Sequence, residues 1–330
     1  MAAVRDIKRR IRSIRNTRKI TRALELVAAA KLVRAQSRIE DMRPYADRML
    51  ELMAGTARAS SSVRGLPLLQ THDQEQTVAI VPLTGDRGLA GAFNSQILRR
   101  ALALDRQLRR EGKQVRWVGV GRRGVGSLRF RRIELAGEFT GFTDQPRYPD
   151  AQAIAHRVAE LYTEGDVDRV VIVYNHFESA LVQKVTVQDI LPLSEDLLET
   201  GDEERQDDAM RGDFIFEPEP EQILPLSEDL LESDEEERRD DAMRGDFIFE
   251  PEPEQILERL LPVYVETELY RALLESAASE HGARMTAMRN ATKNAGELID
   301  TLTLAMNRAR QAEITQEILE VVAGADAQTG

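Results

Sequence analysis

Apolar side chains recur at alternating intervals of four and three residues near both ends of this chain. Near the amino terminus the recurring positions are Ala28, Leu32, Ala35, Ile39, Met42, Ala46, Met49 and Met53. Near the carboxyl terminus they are His281, Met285, Met288, Thr292, Ala295, Ile299, Leu302, Met306 and Ala309. This spacing is typical of a coiled-coil seam, and neither helix can bury such a stripe alone. The two ends are therefore predicted to pair as long antiparallel helices.

The first helix is expected to begin well before the seam, because Ile7, Ile11 and Ile14 repeat at the same intervals. Gly55 and the serine run 60–62 are expected to end it. About 50 helical residues at roughly 1.5 Å each give a rod of about 75 Å. Aromatic residues make up only 5% of the chain, which suits helices that pack along one seam better than a large globular core.

Strand and helix patterns alternate between the two rods. Predicted strands cover residues 77–83, 115–120 and 169–174, and a predicted helix covers 150–162. A further helix is expected between Asn94, as its amino-terminal cap, and Gly112, as its terminator. The predicted fold class is α/β plus a long antiparallel helical coiled coil, with a Rossmann-like α/β domain between the terminal helices. The predicted divisions are a coiled-coil helix (1–57), the α/β domain (77–190), an acidic insertion (191–257) and a second coiled-coil helix (258–323).

The net charge of −12 is divided unevenly along the chain. Residues 1–58 carry 15 basic and 6 acidic side chains, whereas residues 192–257 carry 25 acidic and 5 basic ones. The acidic stretch is a tandem duplication, in which 192–224 recurs as 225–257 with 29 of 33 positions identical. Two acidic copies are too few to bury the core of a solenoid, so we interpret them as a duplicated loop.

One dinucleotide-like motif occurs, with glycines at 119, 121 and 124 after a predicted strand. Residues 125–133 are predicted to be β-like rather than helical, which removes the helix amino terminus that a pyrophosphate would need. The glycine-rich stretch 84–91 lacks the Lys-Ser/Thr ending of a phosphate-binding loop. No catalytic, cofactor or metal site is predicted. A nucleotide-dependent enzyme remains the third alternative.

The basic amino terminus permits several readings. Clustered cations can bind nucleic-acid phosphates, bind an acidic protein, or keep one face of a helix exposed to solvent. Interleaved aromatic residues for base stacking are absent from it, so a coiled-coil adaptor or nucleic-acid-binding protein is only the second alternative. No apolar stretch approaches about 20 residues, so membrane association is expected only through partners. The sequence contains no cysteine, which excludes disulfides and thiolate metal sites.

Several blocks of the chain resemble one known family. Residues 20–32, ITRALELVAAAKL, are similar to the amino-terminal signature of the ATP synthase gamma subunit family. Residues 278–295, ASEHGARMTAMRNATKNA, and 307–318, NRARQAEITQEI, are similar to its carboxy-terminal one. Shorter matches are DRGL at 86–89, VGVGRRG at 118–124 and YNHF at 174–177. The resemblance covers nearly the whole chain except one acidic copy.

The resemblance implies a central rotor stalk, without catalytic activity of its own, in an F-type proton-translocating ATP synthase. Its partners would be the alpha, beta and epsilon subunits and the membrane c-ring, with one copy per complex and no nucleic acid. The protein would be peripheral to the cell membrane on the cytoplasmic side, and it would regulate activity and proton flow as well as transmit torque. The resemblance places the following residues at subunit contacts: Arg9, Arg10, Arg18, Lys19, Arg22, Lys31, Arg310, Gln311 and Glu317.

The duplicated acidic copy leaves two questions open. It is either a neutral duplication or an insertion that brakes rotation by docking on a basic surface, which its charge density suggests. The two near-identical segments 214–216 and 247–249 would also compete for one place in the sheet, and the second is favoured because it is continuous with the last helix.

Overall fold

The computed structural model describes residues 2–59, 66–70, 72, 75–193 and 252–329. The five helices in this part of the chain are α1 (Ala2–Ala59), α2 (Phe93–Arg110), α3 (Arg122–Phe130), α4 (Tyr148–Thr163) and α5 (Pro253–Thr329). The five strands are β1 (Thr77–Pro82), β2 (Gln114–Val120), β3 (Gly137–Phe139), β4 (Arg169–Phe177) and β5 (Gln183–Leu191). The predicted α/β class with two long terminal helices is confirmed. The competing segments 214–216 and 247–249 lie outside the described residues.

The described strands form one sheet in the order β3-β2-β1-β4-β5. The first four run parallel, and β5 returns antiparallel to β4 through a hairpin. Central strands are buried on both faces, which explains why β1 and β4 are nearly continuous apolar runs. Helices α2 and α3 cover one face of this sheet, and α4 with parts of α1 and α5 covers the other.

The two long helices pack against each other in opposite directions. The hydroxyls of Thr21 on α1 and Thr292 on α5 are hydrogen-bonded at 2.7 Å, and Glu25 pairs with Arg289 one turn further along. Increasing numbers on one helix thus meet decreasing numbers on the other, which confirms the antiparallel coiled coil. Helix α1 passes through Pro44 and Gly55 and ends at Ala59, a little beyond the first expected stop.

The expected β-like conformation of residues 125–133 is wrong, because residues 122–130 form α3. Gly124 and Gly126 are poor helix formers, but the first amides of α3 are bound by side chains and backbone from the loop after β1, and Val125 and Leu128 are buried at helical spacing. Tertiary contacts here override local propensity.

Helix α2 begins one residue before the predicted cap. Asn94 lies inside the helix, and its Oδ1 accepts a hydrogen bond at 2.8 Å from the amide of Gly85 instead of capping its own helix. The predicted terminator is confirmed, because α2 ends at Arg110 and Gly112 has φ of +84°. Glycine is favoured there because the left-handed region strains other residues.

Candidate functional site: the shaft and its junction with the sheet

We call residues 4–39 of α1 together with residues 278–309 of α5 the shaft. A polar layer crosses its seam at Glu25, whose carboxylate is buried and accepts hydrogen bonds from Arg22 at 2.9 Å and Arg289 at 3.2 Å. Burial raises the pKa of Glu25, but the bonds and charges of the two arginines outweigh it and hold the pKa below its usual value. A satisfied polar layer of this kind fixes the register of two paired helices.

The seam becomes apolar where the shaft approaches the sheet. The packed side chains there are Ala28, Leu32, Ala35, Phe177, Ala278 and Met285. Three of the six are alanines from α1 and α5, which lets the two backbones approach closely, and Phe177 reaches in from the end of β4. The seam and the sheet therefore share one apolar cluster, and the shaft does not stand free of the α/β domain.

A polar cluster, which we call the junction, joins α1, α5 and the loop before α4. It consists of Lys31, Asp144, Glu280, His281 and Arg284. The carboxylate of Asp144 accepts a hydrogen bond from Lys31, and its backbone carbonyl accepts one from His281 Nε2 at 3.1 Å. Burial raises the pKa of Asp144, and the bond and charge of Lys31 more than offset it. One loop thus holds both helices of the shaft.

Glu280 and Arg284 form the buried half of the junction. Their side chains are only 1% and 11% exposed, and Arg284 donates both to the Glu280 carboxylate and, at 3.3 Å, to the carbonyl of Gly88 in the loop after β1. Burial raises the pKa of Glu280 despite its arginine partner. This pair anchors α5 to the edge of the sheet where the parallel strands end.

His281 is neutral in this setting. Its side chain is 2% exposed, Nε2 donates to Asp144, and Nδ1 lies 3.3 Å from the guanidinium of Arg284, from which it accepts. Burial lowers the pKa of His281 to about 4. The ring therefore acts as a spacer with one donor and one acceptor, and it adds no charge to a cluster that already holds two carboxylates and two cations.

Because of this histidine, the free energy of unfolding should decrease as the pH is lowered. In the unfolded chain the ring gains a proton near the ordinary histidine pKa of 6.5, whereas the folded ring resists protonation until about 4. The contribution of His281 is thus complete above about pH 6.5 and is lost as the pH falls from there towards 4. At about pH 5 the loss should be about 2 kcal/mol.

His281→Gln, whose amide keeps a donor and an acceptor but does not titrate, should flatten this dependence. The measurement is the free energy of unfolding in urea at about pH 7.5 and 5. His156→Gln is the matched control, since His156 is exposed on α4. An equal slope in the two variants would contradict the assignment.

The sheet edge that binds ligands in many α/β proteins is filled by α5. In open parallel sheets the ligand crevice lies outside the carboxyl ends of the strands, at the point where the strand order reverses. Here that point lies between β1 and β4. Ser276 donates to the carbonyl of Leu83 at 3.2 Å, and Ser279 donates to the carbonyl of Asn175 at 3.0 Å. A cavity of about 10 Å³ between this edge and α5, lined by Leu83, Thr84 and Ser276 among others, has room for at most about one water molecule.

The dinucleotide-like motif serves the fold in the same region. The amides of the first three residues of α3 donate to Asp86 Oδ1 at 3.0 Å, the Gly85 carbonyl at 3.1 Å and Thr84 Oγ1 at 2.9 Å. A Cβ on Gly121 would lie 2.0 Å from the carbonyl oxygen of Thr84. The missing side chain of Gly121 therefore allows the loop after β1 to pack closely, and it does not leave room for a ligand. The prediction that no helix follows the motif is wrong, because α3 begins there. Its first amides are nevertheless not free to bind a pyrophosphate, since groups of the protein itself already bind them.

The residues expected at subunit contacts fall into two groups. Those exposed along the shaft or on the end of α5 are Arg9, Arg10, Arg18, Lys19, Arg22, Arg310 and Gln311. Lys31 differs from them, because it is half-buried and bound to Asp144 within the chain. Glu317 belongs to α5, and its side chain lies outside the described part of the structure.

The junction itself was missed by the sequence analysis. His281 appears there only as a seam position, and Asp144 lies in a loop without a motif. A signal for Glu280 and Arg284 does exist, since they are oppositely charged residues four apart at the start of an otherwise small and apolar seam. Such a pair within a buried stripe is usually ion-paired internally.

Comparison with known proteins agrees with this architecture. A family model described as ATP synthase matches residues 3–227 and 221–328. A protein of Rubrobacter xylanophilus named ATP synthase gamma chain is 42% identical over 328 residues, which cover 99% of each chain. The chain belongs to the ATP synthase gamma chain family. Another member, from Moorella thermoacetica, is 41% identical over 327 residues and covers 99% of each chain.

Two solved structures have a fold similar to that of this gamma family member. A chain of the central stalk and c-ring structure of the Tetrahymena thermophila mitochondrial ATP synthase is 26% identical, with a TM-score of 0.52, covering 82% of this chain and 99% of its own. A chain of the Euglena gracilis mitochondrial enzyme is 18% identical, with a TM-score of 0.62, covering 99% and 95%. The second similarity concerns the fold alone.

Two features are absent from the part of the chain that the structure describes. None of the described helices has a window apolar enough to cross a membrane. No cluster of three or more histidine, cysteine or carboxylate side chains suited to a metal ion occurs among the residues that the structure covers.

Proposed function

We propose that this chain is the central rotor stalk of an F-type proton-translocating ATP synthase. It carries torque between the membrane c-ring and the catalytic hexamer of alpha and beta subunits, and it has no catalytic site of its own. One observation carries the proposal: an antiparallel helical shaft with an exposed cationic surface is fixed to a compact α/β domain through a buried junction. Membership of the gamma chain family supports it.

The junction explains how such a part transmits torque. A turning force on the α/β domain reaches the shaft through contacts on both helices, Lys31 on α1 and Glu280, His281 and Arg284 on α5. Ion pairs and close packing at this point resist rotation of the domain around the shaft. An asymmetric shaft then presents different surfaces to three equal catalytic subunits, and its rotation changes which conformation each of them prefers.

The same proposal assigns roles to the exposed shaft residues. Cations from Arg9 to Arg22 would face acidic segments of beta subunits, Arg310 and Gln311 would contact a beta-subunit loop, and the end of α5 from Glu317 would turn in an apolar bearing. The epsilon subunit and the c-ring would contact the α/β domain. The chain would thus lie on the cytoplasmic side of the cell membrane, peripheral to it, and would regulate both catalysis and proton flow.

Rotation of a label on this chain tests the proposal directly. Because the sequence has no cysteine, Asp166→Cys on an exposed loop accepts a single bead or fluorophore. The complex is assembled with its alpha and beta subunits, immobilised through the hexamer, and given ATP. Unidirectional rotation of the label during hydrolysis is expected. Sustained hydrolysis with a stationary label, or full coupled synthesis without this chain, would overturn the proposal.

Lys31 and Arg18 should behave differently when each is replaced by methionine. Arg18→Met removes one exposed cation and should change unfolding by less than about 0.5 kcal/mol and coupled activity by no more than about fivefold. Lys31→Met removes the hydrogen-bonded cation from a half-buried carboxylate and should lower the free energy of unfolding by about 1–3 kcal/mol. Urea unfolding of the isolated chain and ATP synthesis in the complex measure the two effects, and equal unfolding curves would refute the internal role of Lys31.

A further inference from the structure

The layer formed by α2 and α3 carries an unusual concentration of positive charge. Residues 93–132 contain 12 lysines and arginines against 2 acidic residues, a net charge of +10. Eleven of these cations are exposed arginines, and all but Arg116 on β2 lie on α2, on α3 or directly after α3. We call these ten the arginine face: Arg99, Arg100, Arg106, Arg109, Arg110, Arg122, Arg123, Arg129, Arg131 and Arg132. Phe130, 88% exposed, lies among them. The sequence analysis did not identify this surface, although its charge can be counted directly.

Few of these arginines are neutralised locally. Arg109 pairs with Asp105 at 2.8 Å, Arg129 with Glu138 at 2.5 Å, and Arg122 lies 3.9 Å from Asp86. The other seven have no carboxylate within 4.0 Å among the described residues. Like charges so concentrated repel one another, and a polyanion that covered them would release this repulsion together with the bound counterions.

The chain contains a matching polyanion. Each copy of the duplicated segment, 192–224 and 225–257, has a net charge of −10, equal in size and opposite in sign to that of residues 93–132. Each copy also contains a Phe-Ile-Phe sequence, at 214–216 and 247–249, that could contact an exposed aromatic ring. Glu252 and Glu254 lie at the described start of α5, so the remaining acidic residues carry −10 in the first copy (194–224) and −8 in the second (225–251). The first copy alone therefore balances the charge of residues 93–132, and the second nearly does.

The acidic segment departs from the edge of the domain at which α2 ends, although Leu193 and Leu257, which flank it, are buried on the α4 side of the sheet. Leu191, at the end of β5, pairs with Val170 near the start of β4, so the chain leaves the sheet at the edge where the parallel strands begin. Helix α2 ends at the same edge: Lys113 follows it and binds Glu75, which also binds Arg169 at the start of β4. The departing chain and the last arginines of α2 therefore share one edge of the domain.

The length of the segment is also sufficient. The 58 residues between Leu193 and Glu252 lie outside the described structure, and half of them could span at most roughly 95 Å if extended. Helix α2, with its 18 residues, is only about 27 Å long. We propose that the acidic residues 194–251 bind in cis to the arginine face of α2 and α3.

Paired spin labels on the full-length chain test this proposal without reference to rotation. One label is placed in either acidic copy, at Met210→Cys or Met243→Cys, and the other on the arginine face at Gln107→Cys. A control pair replaces the second label with Ala153→Cys on α4, which lies on the opposite side of the sheet. At low salt, at least one copy should lie much closer to residue 107 than to residue 153, and at about 1 M salt, where the Debye length is about 3 Å, the difference should disappear.

Matched substitutions separate specific docking from general attraction. The triple variant Arg99→Gln, Arg100→Gln, Arg106→Gln should reduce the short-distance population several-fold. Arg34→Gln, Arg38→Gln, Arg43→Gln, which removes three exposed arginines of α1, should leave it unchanged. Equal distances to residues 107 and 153, or an equal effect of both triple variants, would overturn the proposal. The proposal would also be overturned if short distances appeared only when singly labelled chains were mixed, because the contact would then join two chains. It would likewise be overturned if Gln107→Cys were protected from thiol reagents only after other subunits bind.

Discussion

Gly121→Ala should lower the free energy of unfolding by at least about 3 kcal/mol, which is the size of effect expected from a strained backbone combined with a steric clash. The backbone of Gly121 has φ of +83°, where an L side chain is disfavoured. A Cβ built there lies 2.0 Å from the carbonyl oxygen of Thr84. That atom is held in place, because the amides of Leu83 and Thr84 donate to the sheet and Gly85 is bound to α2 and α3. The clash could be relieved only if α3 moved away from the loop after β1.

Gly126→Ala is the matched control in the same helix. Nothing lies within 4 Å of a Cβ at Gly126, and the residue is exposed. The same chemical change should there be neutral or raise stability by roughly 0.5–1 kcal/mol, because alanine favours helix more than glycine does. Urea unfolding followed by the fluorescence of the buried Trp117 reports on the α/β domain. Similar midpoints for the two variants would show that the Thr84 contact is not rigid.

The periodic elements of this fold are readable from its sequence because burial imposes the period. The four-three spacing predicts the shaft, since a residue such as Leu32 or Ile299 is buried only if it faces the partner helix. Apolar runs predict β1, β2 and β4 because parallel strands are covered on both faces. Both signals are local, and a single sequence contains them in full.

Residues 122–130 show where this reasoning fails. The conformation of α3 depends on Thr84 and Asp86, about 40 residues earlier, whose side chains accept hydrogen bonds from its first amides. Burial raises the pKa of Asp86, but backbone amides from Gly141 and two other residues outweigh it, so the carboxylate stays charged as an acceptor. Nothing in the local sequence records a partner that distant.

The candidate site was predictable only in part for the same reason. Exposed cations such as Arg18 and Arg310 can be proposed from family resemblance. Lys31 belongs to the same basic helix, but it faces Asp144, whose position depends on the packing of a loop. The distinction between an outward contact and an internal one therefore requires coordinates.

Arg284→Met should destabilise the chain by about 3–5 kcal/mol, the usual cost of leaving one charge of a buried pair without its partner. Methionine fills much of the volume of the arginine stem, so that the loss is electrostatic more than steric. Glu280 would keep its buried carboxylate without the cation, and the carbonyl of Gly88 and His281 Nδ1 would each lose a donor. The junction would then hold α5 to the sheet edge less firmly, and coupled ATP synthesis should fall together with stability.

The pH dependence of this loss has a definite sign. Burial already raises the pKa of Glu280, and removal of Arg284 raises it further, because the arginine's charge and hydrogen bond both favour the carboxylate. Above pH 4.5, the ordinary pKa that Glu280 has in the unfolded chain, the folded variant would still hold a proton on Glu280 that the unfolded chain has released. The free energy of unfolding of the variant therefore falls as the pH rises above 4.5. Relative to the native chain at each pH, Arg284→Met should therefore cost less at about pH 5 than at about pH 7.5.

Two further variants isolate the buried charge as the cause. Arg289→Met makes the same replacement at a side chain that is 58% exposed, and its partner Glu25 keeps Arg22, so the loss should be below about 1 kcal/mol. Glu280→Gln added to Arg284→Met removes the unpaired charge and should restore part of the stability, since the amide is neutral at every pH measured. If Arg289→Met proved as costly as Arg284→Met, or if the second substitution restored nothing, the Glu280 carboxylate would not be the origin of the loss.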